Sequence, residues 1–93
     1  MVLDKEKKKR LYKTARQITQ CSQNDWGRLF NLEPHNGQKG QPNVALKESG
    51  TKGVNKAECL ASELLVFLYE QGFDIKNTEF DKQGTITHIP SRK

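Results

Sequence analysis

Four polar side chains cluster in the middle of the chain: Gln38, Lys39, Gln41 and Asn43. Their chemistry suits nucleic-acid contact. A Lys ammonium fits a phosphate or the acceptor edge of guanine, and the carboxamides of Gln and Asn offer the paired donor and acceptor that match adenine. The plain alternative is a solvated surface loop of ordinary polarity. The run from Glu33 to Asn43 holds two Gly and two Pro, which mark a loop rather than a continuing helix. Pro42 suits the first turn of a helix, where its missing N–H costs nothing.

Other chemistries have little to stand on. His35 sits in the Gly/Pro loop and His88 in a predicted strand, with no Cys or carboxylate at ligand spacing, so each reads as a surface histidine. Cys21 and Cys59 lack the Cys-x-x-Cys spacing of a zinc site and suggest no disulfide framework, which fits a reducing cytoplasm. The Gly-Gln-Lys-Gly run is too short for a phosphate-binding loop. No nucleophile–base pair stands out. The expectation is therefore a non-enzyme with no cofactor, no metal and no evident small-molecule ligand.

Composition narrows the class further. Ninety-three residues suit one modest core, and only 33% of them are hydrophobic, with a mean hydropathy of −0.85. No apolar run approaches the roughly 20 residues needed to span a bilayer, and the basic N-terminus lacks the apolar centre of a signal peptide. The net charge is +5. Residues 1–20 carry seven Lys/Arg against Asp4 and Glu6, while the remainder balances at nine of each sign. The whole excess thus lies at the N-terminus, where it reads either as a solvated helix end or as a phosphate-contacting surface.

The elements that must position these residues are mostly helical. A first helix runs from about Asp4 to Thr19, with Leu11, Ala15 and Ile18 on one face and Asp4 and Glu6 near its positive end. Ser22 and Asp25 punctuate the start of a second, in which Trp26, Leu29 and Phe30 recur at helical spacing. Gly27 marks a close approach inside it, and Asn31 stands where the chain must turn. Asn55 and Glu58 open the longest helix, to about Gln71, with a broad stripe of Ala57, Leu60, Ala61, Leu64, Leu65 and Leu68. Val66, Phe67 and Tyr69 extend that apolar surface toward the tail or a second subunit. Beyond Gly72, Phe73, Ile75 and Phe80 precede the turn-like Asp81-Lys-Gln-Gly84. Thr85 to Ile89 then alternates as a strand does, giving a short hairpin that needs a partner surface.

One stretch carries a specific resemblance. Ser22-Gln-Asn-Asp-Trp-Gly-Arg-Leu-Phe-Asn-Leu32 is similar to the first helix and turn of the lambda-repressor/Cro-like helix-turn-helix family, with Asn31 in place of the turn glycine. Val44 matches the buried aliphatic residue of that family's recognition helix, and Glu48 with Gly50 matches its closing Glu-x-Gly. Thr51-Lys-Gly-Val-Asn55 resembles the connection onward. The likeness spans roughly residues 8–71. Two departures stand out: the turn is about five residues longer than usual, and Lys47 occupies a position that is commonly apolar.

The resemblance implies a mainly α fold, a four- to five-helix lambda-repressor-like helix-turn-helix domain over 1–72. A short C-terminal β-hairpin or strand over 73–93 would serve as a dimerisation element. It implies a sequence-specific, cytoplasmic transcriptional regulator acting as a repressor, a homodimer whose partner is double-stranded DNA. A recognition helix over about 42–48 would enter the major groove. Gln23 would contact the DNA backbone, and Gln38, Lys39, Gln41, Asn43, Lys47 and Lys52 complete the expected DNA-binding set. The alternative is a protein-interaction or inhibitor module on the same scaffold, without specific DNA binding.

Overall fold

The structure is a computed structural model that describes residues 4–30 and 41–92. Within them the chain forms α1 (Lys5–Ile18), α2 (Gln23–Leu29), α3 (Gln41–Ser49) and α4 (Lys56–Glu70). A short 3-10 helix (Ile75–Asn77) and a two-stranded antiparallel sheet of β1 (Glu79–Phe80) and β2 (Ile86–His88) follow. It is a mainly helical structure with a small C-terminal sheet. No helix among the described residues is long and apolar enough to cross a membrane.

Local chemistry sets the helix ends. The Asp4 side chain caps α1 by accepting from Lys7 N–H at 2.8 Å, a closer role than complementing the dipole. Ser22 and Asp25 form a reciprocal capping box at α2, and Asn55 and Glu58 form another at α4. Each satisfies two N–H groups that a helix leaves unpaired. Gly50, at φ +89°, turns the chain out of α3, and the Lys52 N–H reaches back to the Leu46 carbonyl to close that end. The predicted turn at Asn31 lies outside the described residues.

The core is small and aromatic. Trp26 and Tyr12 are fully buried and meet edge to face, with ring centroids 6.0 Å apart. Phe30 packs 5.0 Å from Trp26 and 5.5 Å from Tyr12. Ala15, Cys21, Val44, Val54, Cys59 and Ile75 complete the buried apolar set. Gly27 is buried in α2 beside Trp26.

Two expected faces are met in part. On α1 Ala15 is buried with Tyr12 and Leu11 packs against the core, while Ile18 is 43% exposed. On α4 the expected stripe divides: Leu65 and Leu68 pack against the core, Ala57, Leu60 and Leu64 are exposed, and the buried positions are Cys59 and Ser62. Packing against α1 decides this. Small residues let the two helices approach, and Cys59 Sγ lies 4.0 Å from the Lys8 carbonyl. The hydroxyl of Ser62 is satisfied by the Glu58 carbonyl one turn back, at 2.7 Å.

The hairpin is held against the helices. Arg28 of α2 donates to the carbonyls of Thr78 (2.8 Å) and Lys76 (2.7 Å) and lies over the Phe80 ring. Arg92 stacks on Tyr69 at 4.2 Å. Asp81 organises the turn, its side chain accepting from the N–H groups of Gln83 and Thr85.

Burial also leaves a titration signature. Desolvation raises the Tyr12 phenol well above its ordinary pKa, with Glu58 and Glu48 adding to the shift. The unfolded chain releases that proton near pH 10, so the unfolded state binds fewer protons there than the folded one. Stability should therefore fall as pH rises past about 10, by up to about 1.4 kcal/mol per pH unit from this group. The hydroxyl has no hydrogen-bond partner among the described residues. Tyr12→Phe should thus gain about 1 kcal/mol at neutral pH and lose the Tyr12 part of the alkaline decline, as read by urea unfolding at the two pH values.

Candidate nucleic-acid interface

Little apolar surface anchors α3. Val44 and Glu48 are its buried residues, one turn apart on the side facing the core. A nine-residue helix with one fully buried aliphatic side chain gains little from burial, roughly 2 kcal/mol for the Val. Polar ties at both ends supplement it.

At the C-terminal end, Glu48 receives a forked contact from Arg16 of α1, Nε to Oε2 at 2.6 Å and a terminal nitrogen to Oε1 at 3.2 Å. Both side chains are mostly buried, and Arg16 also donates to the Cys21 carbonyl at 3.1 Å, so it spans the α1–α2 turn. The neighbouring Lys47 turns the other way. Its ammonium pairs with Glu58 at 3.0 Å and donates to the Gly53 carbonyl at 3.1 Å, clamping α3 to the start of α4. That explains a Lys where the resemblance implies an apolar residue.

At the N-terminal end the tie is a relay of amides. Gln23, the first residue of α2, donates to Glu48 Oε1 at 3.1 Å, and its own oxygen accepts from the Gln41 carboxamide at 2.8 Å. The Gln41 backbone N–H donates to the Asn24 side chain at 3.2 Å. An unbroken polar chain therefore runs Arg16–Glu48–Gln23–Gln41 across three helices. The Glu48 carboxylate can only accept, so Gln23 turns its nitrogen to Glu48 and its oxygen to Gln41, which must then donate.

This brings most of the described candidate residues to one edge. Gln41 and Pro42 are exposed at the start of α3, and Asn43 is half-buried behind them. Asn43 accepts from the Lys52 ammonium at 3.1 Å, so Lys52 folds back over α3 from the following connection. Gln23 stands beside Gln41. Lys47 is the member set apart, directed at Glu58. Gln38 and Lys39 lie outside the described residues. The first turn of α3 holds no acidic residue, so its helix dipole meets an approaching anion uncompensated by a carboxylate of that turn. Lys9 of the basic α1 lies near Gly50, where an added Cβ would meet it at 3.3 Å. The positive N-terminal helix thus flanks the other end of α3.

Reasoning from residues alone missed Arg16, Asn24 and Arg28. Arg16 and Arg28 are partnered 32 and 48–50 residues away, beyond any helical or strand spacing. Asn24 had a signal: it is a polar residue in the first turn of a helix whose neighbour Gln23 was already a candidate. Among the described residues no group of three or more His, Cys, Asp and Glu could hold a metal ion. Burial raises the Cys21 thiol, with a hydrogen bond from Thr19 opposing it, which leaves it a poor nucleophile near neutrality.

The ion pair makes a quantitative expectation. Glu48→Ala should cost about 3 kcal/mol, because it strands a mostly buried guanidinium. Arg16→Met combined with Glu48→Leu should cost clearly less than the sum of the two single changes, as chemical denaturation of the four proteins in a cycle would show. No family model matches the chain, and no curated protein and no solved structure matches it either.

Proposed function

We propose that the chain is a sequence-specific DNA-binding regulator of transcription, a repressor of the lambda-repressor/Cro-like helix-turn-helix type, with α3 as its recognition helix. The observation that carries this reading is the amide relay. Gln23 holds the start of α3 against the start of α2 and keeps the Gln41 carboxamide oriented at an exposed edge, next to Asn43 and Lys52. An oriented carboxamide has a remaining N–H and an oxygen with which to match a base edge.

Mechanistically, the Lys and Arg of α1 supply sequence-independent attraction through counterion release. Gln23 and the α3 dipole sit against phosphates and set the register, while Gln41 and Asn43 read bases in the major groove. Repression follows from occupying a promoter. A protein-interaction module is the second reading, favoured by the exposed apolar residues of α4.

Selection of duplexes from a random pool, followed by gel shift across a salt series, separates the two. The expected result is a preferred site whose log affinity falls linearly with log salt. Gln41→Ala should relax the preference at one position, costing about 1–3 kcal/mol on the selected site and little on random duplex. Lys52→Ala should weaken both alike and flatten the salt slope by about one. Absence of any preferred duplex, with or without binding, would sink the proposal.

A further inference from the structure

The outward side of α4 is built like an interface. Leu60, Leu64 and Phe67 are 59%, 55% and 59% exposed and follow one another at i, i+4, i+7 along a single ridge. Grooves flank the ridge on both sides. One, of about 340 Å3, lies toward α1 between Leu11, Thr14 and Ile18 and the α4 residues Val66 and Phe67. The other, of about 320 Å3, lies toward the hairpin, where Leu64 and Leu68 face Phe80 and Ile86. Ile86, itself 53% exposed, carries the apolar surface onto β2. An apolar ridge with a groove on either side is complementary to its own copy, because helices pack ridge into groove.

Charge selects the direction. Lys56, Glu63 and Glu70 are exposed on α4 and spaced by seven, so they share one flank of the ridge. In a parallel pair this flank would lie against the partner's other flank, that of Ala57, Ala61 and Leu68, where no charge answers it. In an antiparallel pair about a two-fold near Leu64, Lys56 of each copy lies opposite Glu70 of the other, and Leu60 lies opposite Phe67. Only the two Glu63 side chains then meet a like charge, at the centre.

We propose that a second copy of this chain docks on the outer face of α4, with the two α4 helices antiparallel about Leu64. This inference goes beyond the DNA reading and does not depend on it.

Sedimentation equilibrium of the full chain without DNA tests it. A dimer is expected within the range of about 1 to 100 µM. Leu64→Glu should raise the dissociation constant by more than about tenfold while leaving the thermal melt of the monomer in place, since Leu64 is exposed. Lys56→Glu should weaken the dimer by about tenfold, and adding Glu70→Lys should restore it. Both changes suit the dipole of α4, so neither should unfold it. Glu63→Gln should tighten the dimer. A monomer across the whole range overturns the proposal, as does a dimer indifferent to Leu64→Glu, or one in which Glu70→Lys fails to rescue Lys56→Glu.

Discussion

The contact between Arg16 and Glu48 is the constraint on which the arrangement of this molecule rests. It joins the end of the first helix to the end of the third, and the same guanidinium holds the carbonyl of Cys21 in the intervening turn. Such a pair is no bargain in stability terms, because both ions lose water. Its value is directional. A carboxylate with one oxygen on Arg16 and the other shared with Gln23 tolerates one rotation of α3 about its axis, whereas a lone buried valine would tolerate several. The rotation of α3 determines which residues face outward, so an interior ion pair sets the composition of the exposed edge.

What could be read from the sequence follows the range of each interaction. The caps at Ser22 and Asn55 and the turn at Asp81–Gly84 are governed by partners two to four residues away, and they stand in the structure where the residues imply. The start of α3 near Pro42 was legible for the same reason. The inward face of α4 was legible only through Leu65 and Leu68. Apolar residues occupy nearly its whole circumference from Leu60 to Tyr69, so periodicity offers no preferred side, and only the close approach of α1 selects Cys59 and Ser62. Gln23 was legible as a candidate through its place in the capped turn. That its amide would bridge Glu48 and Gln41 depends on contacts 25 and 18 residues apart, which no local pattern encodes.

Charge and apolarity are also separated in space. The basic residues concentrate on α1, and Lys9 approaches the far end of α3, whereas the exposed leucines and Phe67 line α4. Two acidic groups serve as clamps: Glu48 and Glu58 both hold cations near α3, which offsets their negative charge at that edge. The result is a surface with a basic side and an apolar side on a chain of modest size.

The grip of Arg28 on the Thr78 and Lys76 carbonyls has a bearing on how the chain reaches this state. These bonds close loops of 50 and 48 residues, against 32 for Arg16 with Glu48, so they carry the larger entropic cost of closure. In synthesis from the N-terminus, every helix is complete before Thr78 exists, and Leu29 and Phe30 wait with one flank uncovered until Ile89 arrives. Residues 73–92 therefore close last over helices already formed, bringing Ile75 into the core, and until they dock Leu29 and Phe30 are open to contact with other chains.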